Sequence, residues 1–477
     1  MIQTYYVYIV STAIAALCFV HFLARAKLPP ASLASLSTTY GDMVYMHVFG
    51  REFLVLNSAE DALELFDHRG SLYSDRPRSV MAGDLVGKKH AVLFHSYGEG
   101  IKKHRRLLRT AFESRRQAEY WETQYEVSHN LLSALLRTPD DFLAHLKRAA
   151  SEFTMRIAYG YQVSDGPGED HFVTLAEELA RLTAKAMKPG RWLVDSFPIL
   201  RHIPTWFPGA GFKRWAQNAR ITTNEFAAAP YLYAKKAAAS GVRSFVSDTV
   251  DLLEAELGRP LGNDDDEFLK WTSASIYSGG TDTSVAIDSS FILMMALYPD
   301  VQRKAQAELN TVIGPERLAC MADRAHLPYI EALIKELHRF RPITPLVPHT
   351  TLVDDEYKGY RIPKGSWIMA NTWSARGSTG CYFLRGSGQN ASFPKAWVAL
   401  WILATILSDM EEESALFITV AHILAVFEIS HPLDEQGYTI TEALDYTDEH
   451  ISHPKPFKCS IRPRSTNAAD LIRHLVS

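Results

Sequence analysis

Cysteine is scarce in this chain: Cys18, Cys320, Cys381 and Cys459 are all that 477 residues contain. Their wide spacing makes no disulfide framework and offers no paired metal-ligand pattern, which suits a reducing compartment. Charge of one sign is also missing. The formal net charge is -4, with Lys and Arg scattered among Asp and Glu, so there is no broad basic surface and nucleic acid is not expected as a partner. No Ser/Gly-rich linker, charge block or repeat divides the chain, which allows one large domain. Neither Gly-x-Ser-x-Gly nor His-Glu-x-x-His occurs, so a membrane-anchored hydrolase finds no support. What the chain has in plenty is apolar surface, 47% hydrophobic residues, enough for a substantial core.

The longest hydrophobic run lies at the N-terminus. Tyr5 to Ala24 carries one His and no formal charge, and about 20 apolar residues suffice to cross a hydrocarbon core as a helix. Tyr5, Tyr6 and Tyr8 would sit at one interface, and Arg25 and Lys27 just past the other, which places the following domain on the cytosolic side. A cleaved signal is the rival, because Ala24-Arg25-Ala26 has a small-x-small form; a basic n-region is missing and the apolar stretch is too long for it. The expected division is therefore an anchor over 1–26 and a soluble body over 27–477, with Pro29 and Pro30 ending the anchor helix.

Along the body, 43–56 is rich in β-branched and aromatic residues around one Gly and predicts a hairpin. Ser58-Ala-Glu-Asp61 predicts a capping box opening a short helix. Apolar residues recur at helical spacing over 118–136, 140–160, 171–187 and 245–257. A long helix is expected over 265–297, closed by Pro299, then helices from Val301 to Val312 and from Pro328 to Phe340, and strands over 346–353 and 357–369 with Pro363-Lys-Gly365 as a turn. This is a mainly α chain with small β-sheets.

Certain residues point to chemistry. Gly279-Gly280-Thr281-Asp282-Thr283-Ser284 falls mid-helix, where each glycine costs about 1 kcal/mol relative to Ala. An acid and a hydroxyl side by side, Asp282 and Thr283, suit short-range proton transfer, although a small-residue helix crossing would use the same glycines. Glu336 and Arg339 share a helix face. His349 follows Pro348, and Arg105 ends Tyr97-Gly-Glu-Gly-Ile101-Lys-Lys-His-Arg105.

Taken in this order, these motifs resemble the cytochrome P-450 family in its fungal, membrane-anchored form. The resemblance implies a helix-rich fold enclosing heme, with one oxygen atom of dioxygen inserted into a lipophilic substrate. It also implies NAD(P)H electrons delivered by a flavoprotein reductase, attachment to the endoplasmic reticulum membrane by one pass, and a place in secondary metabolism. By the same resemblance Gly279 and Gly280 let the helix approach the heme, and the Thr283 hydroxyl holds it locally open. Asp282 and Thr283 relay protons, and Arg105 and His349 bind propionates. Ile101 stands where the family has a Trp, so one propionate contact is lost, with Arg105, Lys102 and His104 left to supply charge. Glu336 and Arg339 form a structural clamp whose third Arg, in a Pro-Glu-Arg-Phe stretch, does not occur here. Substrate choice is expected in Asp75 to Phe94, 191–210, 271–284 and Ile343 to Val347.

The resemblance breaks over Ser374 to Met410, where a Phe-x-x-Gly-x-Arg-x-Cys-x-Gly loop should supply the thiolate that ligates the iron. The metal ligand is thus unassigned, with Cys381 a weak candidate lacking the flanking Arg. Encoded by permitted codons and read one base later, Leu400 to Ser408 becomes Phe-Gly-Tyr-Trp-Arg-Arg-Tyr-Cys-Pro. That restores the Phe, an Arg, the Cys and the Pro of the loop, and predicts that 374–410 is a frame-shifted or mis-spliced readout. The alternative is a non-catalytic, membrane-anchored binding protein that keeps the shell of the fold.

Overall fold

The computed structural model describes residues 30–48, 50–111, 114–164, 170–188, 190–374, 411–432 and 444–475. The anchor expected over 1–26, Cys381 and the altered stretch from residue 375 to Met410 lie outside them. Among the described residues no single helix is long and apolar enough to cross a membrane.

The strands are β1 Met43–Val48, β2 Arg51–Leu56, β3 Leu346–Thr350, β4 Asp355–Tyr357, β5 Tyr360–Ile362, β6 Trp367–Asn371, β7 Phe427–Ser430 and β8 Ser460–Pro463. The expected hairpin is β1 and β2, paired antiparallel from Met43↔Leu56 to Val48↔Arg51. It joins β6 and β3 in a sheet of order β1-β2-β6-β3, with β2 and β6 parallel. The strand expected over 357–369 is split. Lys358 and Gly359 take positive φ between β4 and β5, and Pro363, which has no N–H for a ladder, precedes the Gly365 turn before β6. At Ser58 half of the capping box forms. The Ser58 hydroxyl accepts from the Asp61 amide at 3.4 Å, while the Asp61 carboxylate takes the Tyr357 hydroxyl and the Lys358 ammonium instead of reaching back.

The longer helices are α1 Glu99–Ala111, α2 Ser114–Arg137, α3 Phe142–Tyr159, α4 His171–Met187, α5 Gly211–Ala238, α6 Phe245–Leu257, α7 Asn263–Leu297, α8 Pro299–Val312, α9 Pro328–Phe340, α10 Glu411–Val426 and α11 Thr466–Leu475. The sequence reading names no element at α5, where Pro230 and runs of Ala blur the period. From Val285 to Ala296, α7 is buried on every side, as befits a helix without a polar face. Its Ile292 and Leu293 pack in one core with Leu131 and Leu132 of α2, Leu146 of α3, Leu337 of α9 and Leu424 of α10. This fixed central helix carries the Gly279–Ser284 segment. The mainly α architecture with small sheets is the one the sequence predicts.

Candidate active site

Within α7 the Thr283 hydroxyl donates to the Gly279 carbonyl at 2.6 Å, and Ser284 to the Gly280 carbonyl at 2.7 Å. The helix runs unbroken through both bonds, without the local opening that the family resemblance implies at Thr283. A Cβ on Gly280 would lie 2.7 Å from Cγ2 of Thr154 on α3, and the Thr154 and Thr281 hydroxyls bond at 2.9 Å. The close approach at Gly280 is therefore a helix crossing. Asp282 projects away from that crossing, its carboxylate 3.1 Å from Nε2 of His453 on the C-terminal segment.

A group of basic side chains gathers beside this face. His349 is 1% exposed and stacks on Phe66. Its Nδ1 lies 2.7 Å from the Tyr73 carbonyl, so Nδ1 carries the proton and donates. Its Nε2 has no partner. Burial, with Arg76 and Arg105 adding to it, holds this imidazole neutral, well below the usual histidine range. Arg105 is held below its ordinary value by burial, and its Nε also lacks a partner. Arg76 is pulled down to about 10 by burial, with Arg105 adding to the effect and Asp75 opposing it. Arg76 and His450 are both partly buried. His450 is pulled down to about 4, by burial first and then by Arg76 and Lys88 against Asp282.

The charge expected from Lys102 and His104 is not available to this group. Lys102 points outward and pairs with Glu99 at 2.8 Å. His104 is buried, bonds the Thr272 hydroxyl at 2.7 Å and is pushed down to about 3, chiefly by burial. Ile101 is buried in the core formed by α1, α3, α5 and α7. The second cation is instead Arg76, which sequence reasoning missed because a lone Arg in a loop carries no periodic signal. Two guanidiniums, one of them with an unpartnered Nε, and an unfilled imidazole nitrogen come together here, a set whose donors suit a ligand with two carboxylates. Heme propionates fit that requirement. A carboxylate beside His349 would draw a proton onto Nε2, turning it from acceptor to donor.

Glu336 and Arg339 form a two-pronged pair at 2.7 and 2.6 Å, both side chains largely buried, and so are no solvated surface pair. Arg341 lies 4.3 Å from the Trp373 ring and 4.8 Å from that of Tyr446. Neither described cysteine joins the basic group: the Cys320 thiol bonds Asp323 and Cys459 packs in the main core. Of the stretches expected to choose substrate, Val80, Met81 and Ala82 pack with Leu182, Ala186 and Val194. The 191–210 stretch divides, because Ile199 and Trp206 are 74% and 78% exposed and face away from that cluster.

The family described as Cytochrome P450 matches residues 12–381, ending where the sequence departs from its motifs. The chain is 36% identical over 447 residues to cytochrome P450 monooxygenase claR of Ampulloclitocybe clavipes, covering 91% of this chain and 82% of that one. To cytochrome P450 monooxygenase 208 of Postia placenta it is 36% identical, with 91% and 86% covered. A zebra fish cytochrome P450 solved with progesterone superposes with a TM-score of 0.71 at 21% identity, over 92% of this chain and all of that one.

Proposed function

Because the chain belongs to the cytochrome P450 family, whose monooxygenases are oxidoreductases that hold heme, we propose that it derives from an enzyme inserting one oxygen atom of dioxygen into a lipophilic substrate. The enclosed group formed by Arg76, Arg105 and His349 beside Asp282 and Thr283 carries this reading, since it joins a dicarboxylate cradle to a proton-handling pair. Bound there, heme would supply dioxygen activation. Arg105, Arg76 and His349 would hold its propionates, and their burial makes each pairing stronger than it would be in water. Asp282, steadied by His453, would pass a proton toward Thr283, whose hydroxyl proton is otherwise spent on the Gly279 carbonyl. Glu336 and Arg339 stiffen α9 behind the site. Electrons would come from NAD(P)H through a flavoprotein reductase. An N-terminal anchor over 1–26 would hold the domain on the cytosolic face of the endoplasmic reticulum; deleting Met1 to Ala26 should release most of the protein to the soluble fraction.

A second reading, a binding protein without catalysis, is favoured by one observation: no described cysteine lies beside the basic group. The reduced carbon-monoxide difference spectrum of the purified chain separates the two. The chain as written should give no thiolate-type band. A thiolate band abolished by Cys381→Ala would make Cys381 the ligand and the chain an intact enzyme. If the transcript holds a Cys codon in the neighbouring frame across 374–410, restoring that frame should restore the band. If it holds none, the departure is genuine.

A further inference from the structure

A pocket of about 170 Å³ opens between the ends of α8, α10 and α11, and it shares no residue with the group formed by Arg76, Arg105 and His349. An engineered apolar cavity of about 150 Å³ takes up benzene, so this one has room for an aromatic ring. Its floor is formed by the buried Leu309, Val426 and Ala468, and its walls by the half-buried Ile313, Ala425 and Leu471. Exposed Asn310 and Arg317 stand at its mouth. Arg464 also lines it, fixed just after β8 by its amide, which donates to the Val426 carbonyl at 2.9 Å. Its Nη1 donates to the Leu424 and Ala425 carbonyls at 3.3 and 3.0 Å and to Asn310 Oδ1 at 3.3 Å. All three acceptors are neutral. Capping the last carbonyls of α10 in this way occupies one nitrogen, and the Nε and Nη2 edge of the guanidinium has no acceptor among the described residues. Arg317, the other cation of the lining, is spent on a two-pronged pair with Asp323 at 2.6 and 2.8 Å. Arginine keeps its charge in a protein, and its free edge is shaped to take both oxygens of a carboxylate.

We propose that this pocket is a binding site for a small aromatic carboxylic acid, whose carboxylate bridges Nε and Nη2 of Arg464 while its ring lies against Ile313, Val426 and Leu471. A bare inorganic anion would leave the apolar floor empty, and a neutral ring would leave the Arg464 edge unpaired; the acid answers both. The site stands apart from the monooxygenase reading, which it neither needs nor supports. A molecule held there ties the ends of α8, α10 and α11 together and, by binding the folded chain alone, raises its melting temperature.

The test is titration calorimetry on the purified full-length chain with phenylacetate, methyl phenylacetate and inorganic phosphate. Wild type should bind phenylacetate with a Kd below about 1 mM, and about tenfold more tightly than the ester or phosphate, the worth of one well-formed charged contact. Arg464→Gln should erase that preference, whereas Arg105→Ala should leave it intact. Ala425→Leu fills the pocket without touching the guanidinium and should also abolish phenylacetate binding, which decides the matter if Arg464→Gln fails to fold. Equal affinity for acid and ester in wild type, or no binding of the acid, would overturn the proposal. So would phosphate binding as tightly as phenylacetate, or phenylacetate binding that survives Ala425→Leu. Loss of binding in Arg105→Ala alone would overturn it too, because the acid would then occupy the propionate cradle.

Discussion

Two aspartates stand less than two turns apart on α7, and their surroundings could hardly differ more. Asp282 faces His453 at 3.1 Å, with Lys88 and His450 in range. Asp288, 9% exposed, makes no hydrogen bond or ion pair among the described residues. It lines a cavity of about 40 Å³ with Gln124, Ser128 and Ser284, and burial alone pushes its carboxyl up to about 7. The same side chain on one helix is thus a member of a charged cluster in one place and a lone acid in a core in the other. The difference lies in what the neighbouring segments bring. The C-terminal segment carries its histidines to Asp282, whereas α2 and α10 bring Asp288 mostly apolar side chains and uncharged polar ones.

The largest effect should come from breaking this asymmetry at Asp288. Its carboxyl holds a proton more tightly in the folded chain, about 7, than in the unfolded one, near 3.8. The folded state therefore binds the extra proton between these values, and stability falls as pH rises through the window. Asp288→Asn should gain up to roughly 4 kcal/mol over wild type at pH 8, at about 1.36 kcal/mol per pH unit, and almost nothing at pH 4. Urea unfolding at both values checks it. A pH-independent difference would mean that the acid has a partner in solution.

Next in size is the crossing that pins α7 just before Asp282. Gly280→Ala should cost about 1–3 kcal/mol, the usual range for an overpacked methyl, because its Cβ would press on Thr154 Cγ2. Thr154→Ser removes that methyl while keeping the hydroxyl bonded to Thr281, so the double variant should recover most of the loss. A cycle with no coupling would show that the helices separate freely here.

Arg105→Ala sharpens the comparison from the charged side. Loss of one charge-assisted contact should weaken hemin binding to the purified chain about tenfold, read by Soret titration, whereas Asp288→Asn should leave it unchanged. Equal affinity in wild type and Arg105→Ala would remove Arg105 from the cradle.

Legibility from sequence followed the same divide. Helical period and proline stops located α7, α8 and α9, because burial of a stripe leaves a local signature. Motif order brought out Arg105, His349, Asp282, Thr283, Glu336 and Arg339, each anchored by neighbours in the chain. Arg76, Lys88, His450 and His453 were not legible, since single charged residues in loops acquire meaning only when distant segments converge. For the same reason Lys102 and His104 were credited with charge that one turns outward and the other loses by burial. Asp288 gave no warning either: an acid after Ile287 fits a half-exposed helix, and nothing local says that three helices close over it.

The smallest expected effect tests whether the pairing of Asp282 is structural. Asp282 and His453 keep 35% and 25% of their side-chain surface, so water screens their attraction, and partly exposed pairs of this kind contribute about 0.2–1 kcal/mol. A double-mutant cycle of Asp282→Asn and His453→Gln should therefore give a coupling below about 1 kcal/mol, fading further in roughly 1 M salt, where the Debye length is about 3 Å. Such a value leaves the carboxylate free to turn between His453 and Thr283, as a proton-passing group must. A coupling above about 2 kcal/mol that salt does not touch would instead mark a locked pair, and Asp282 would then resemble a core fixture more than a working acid.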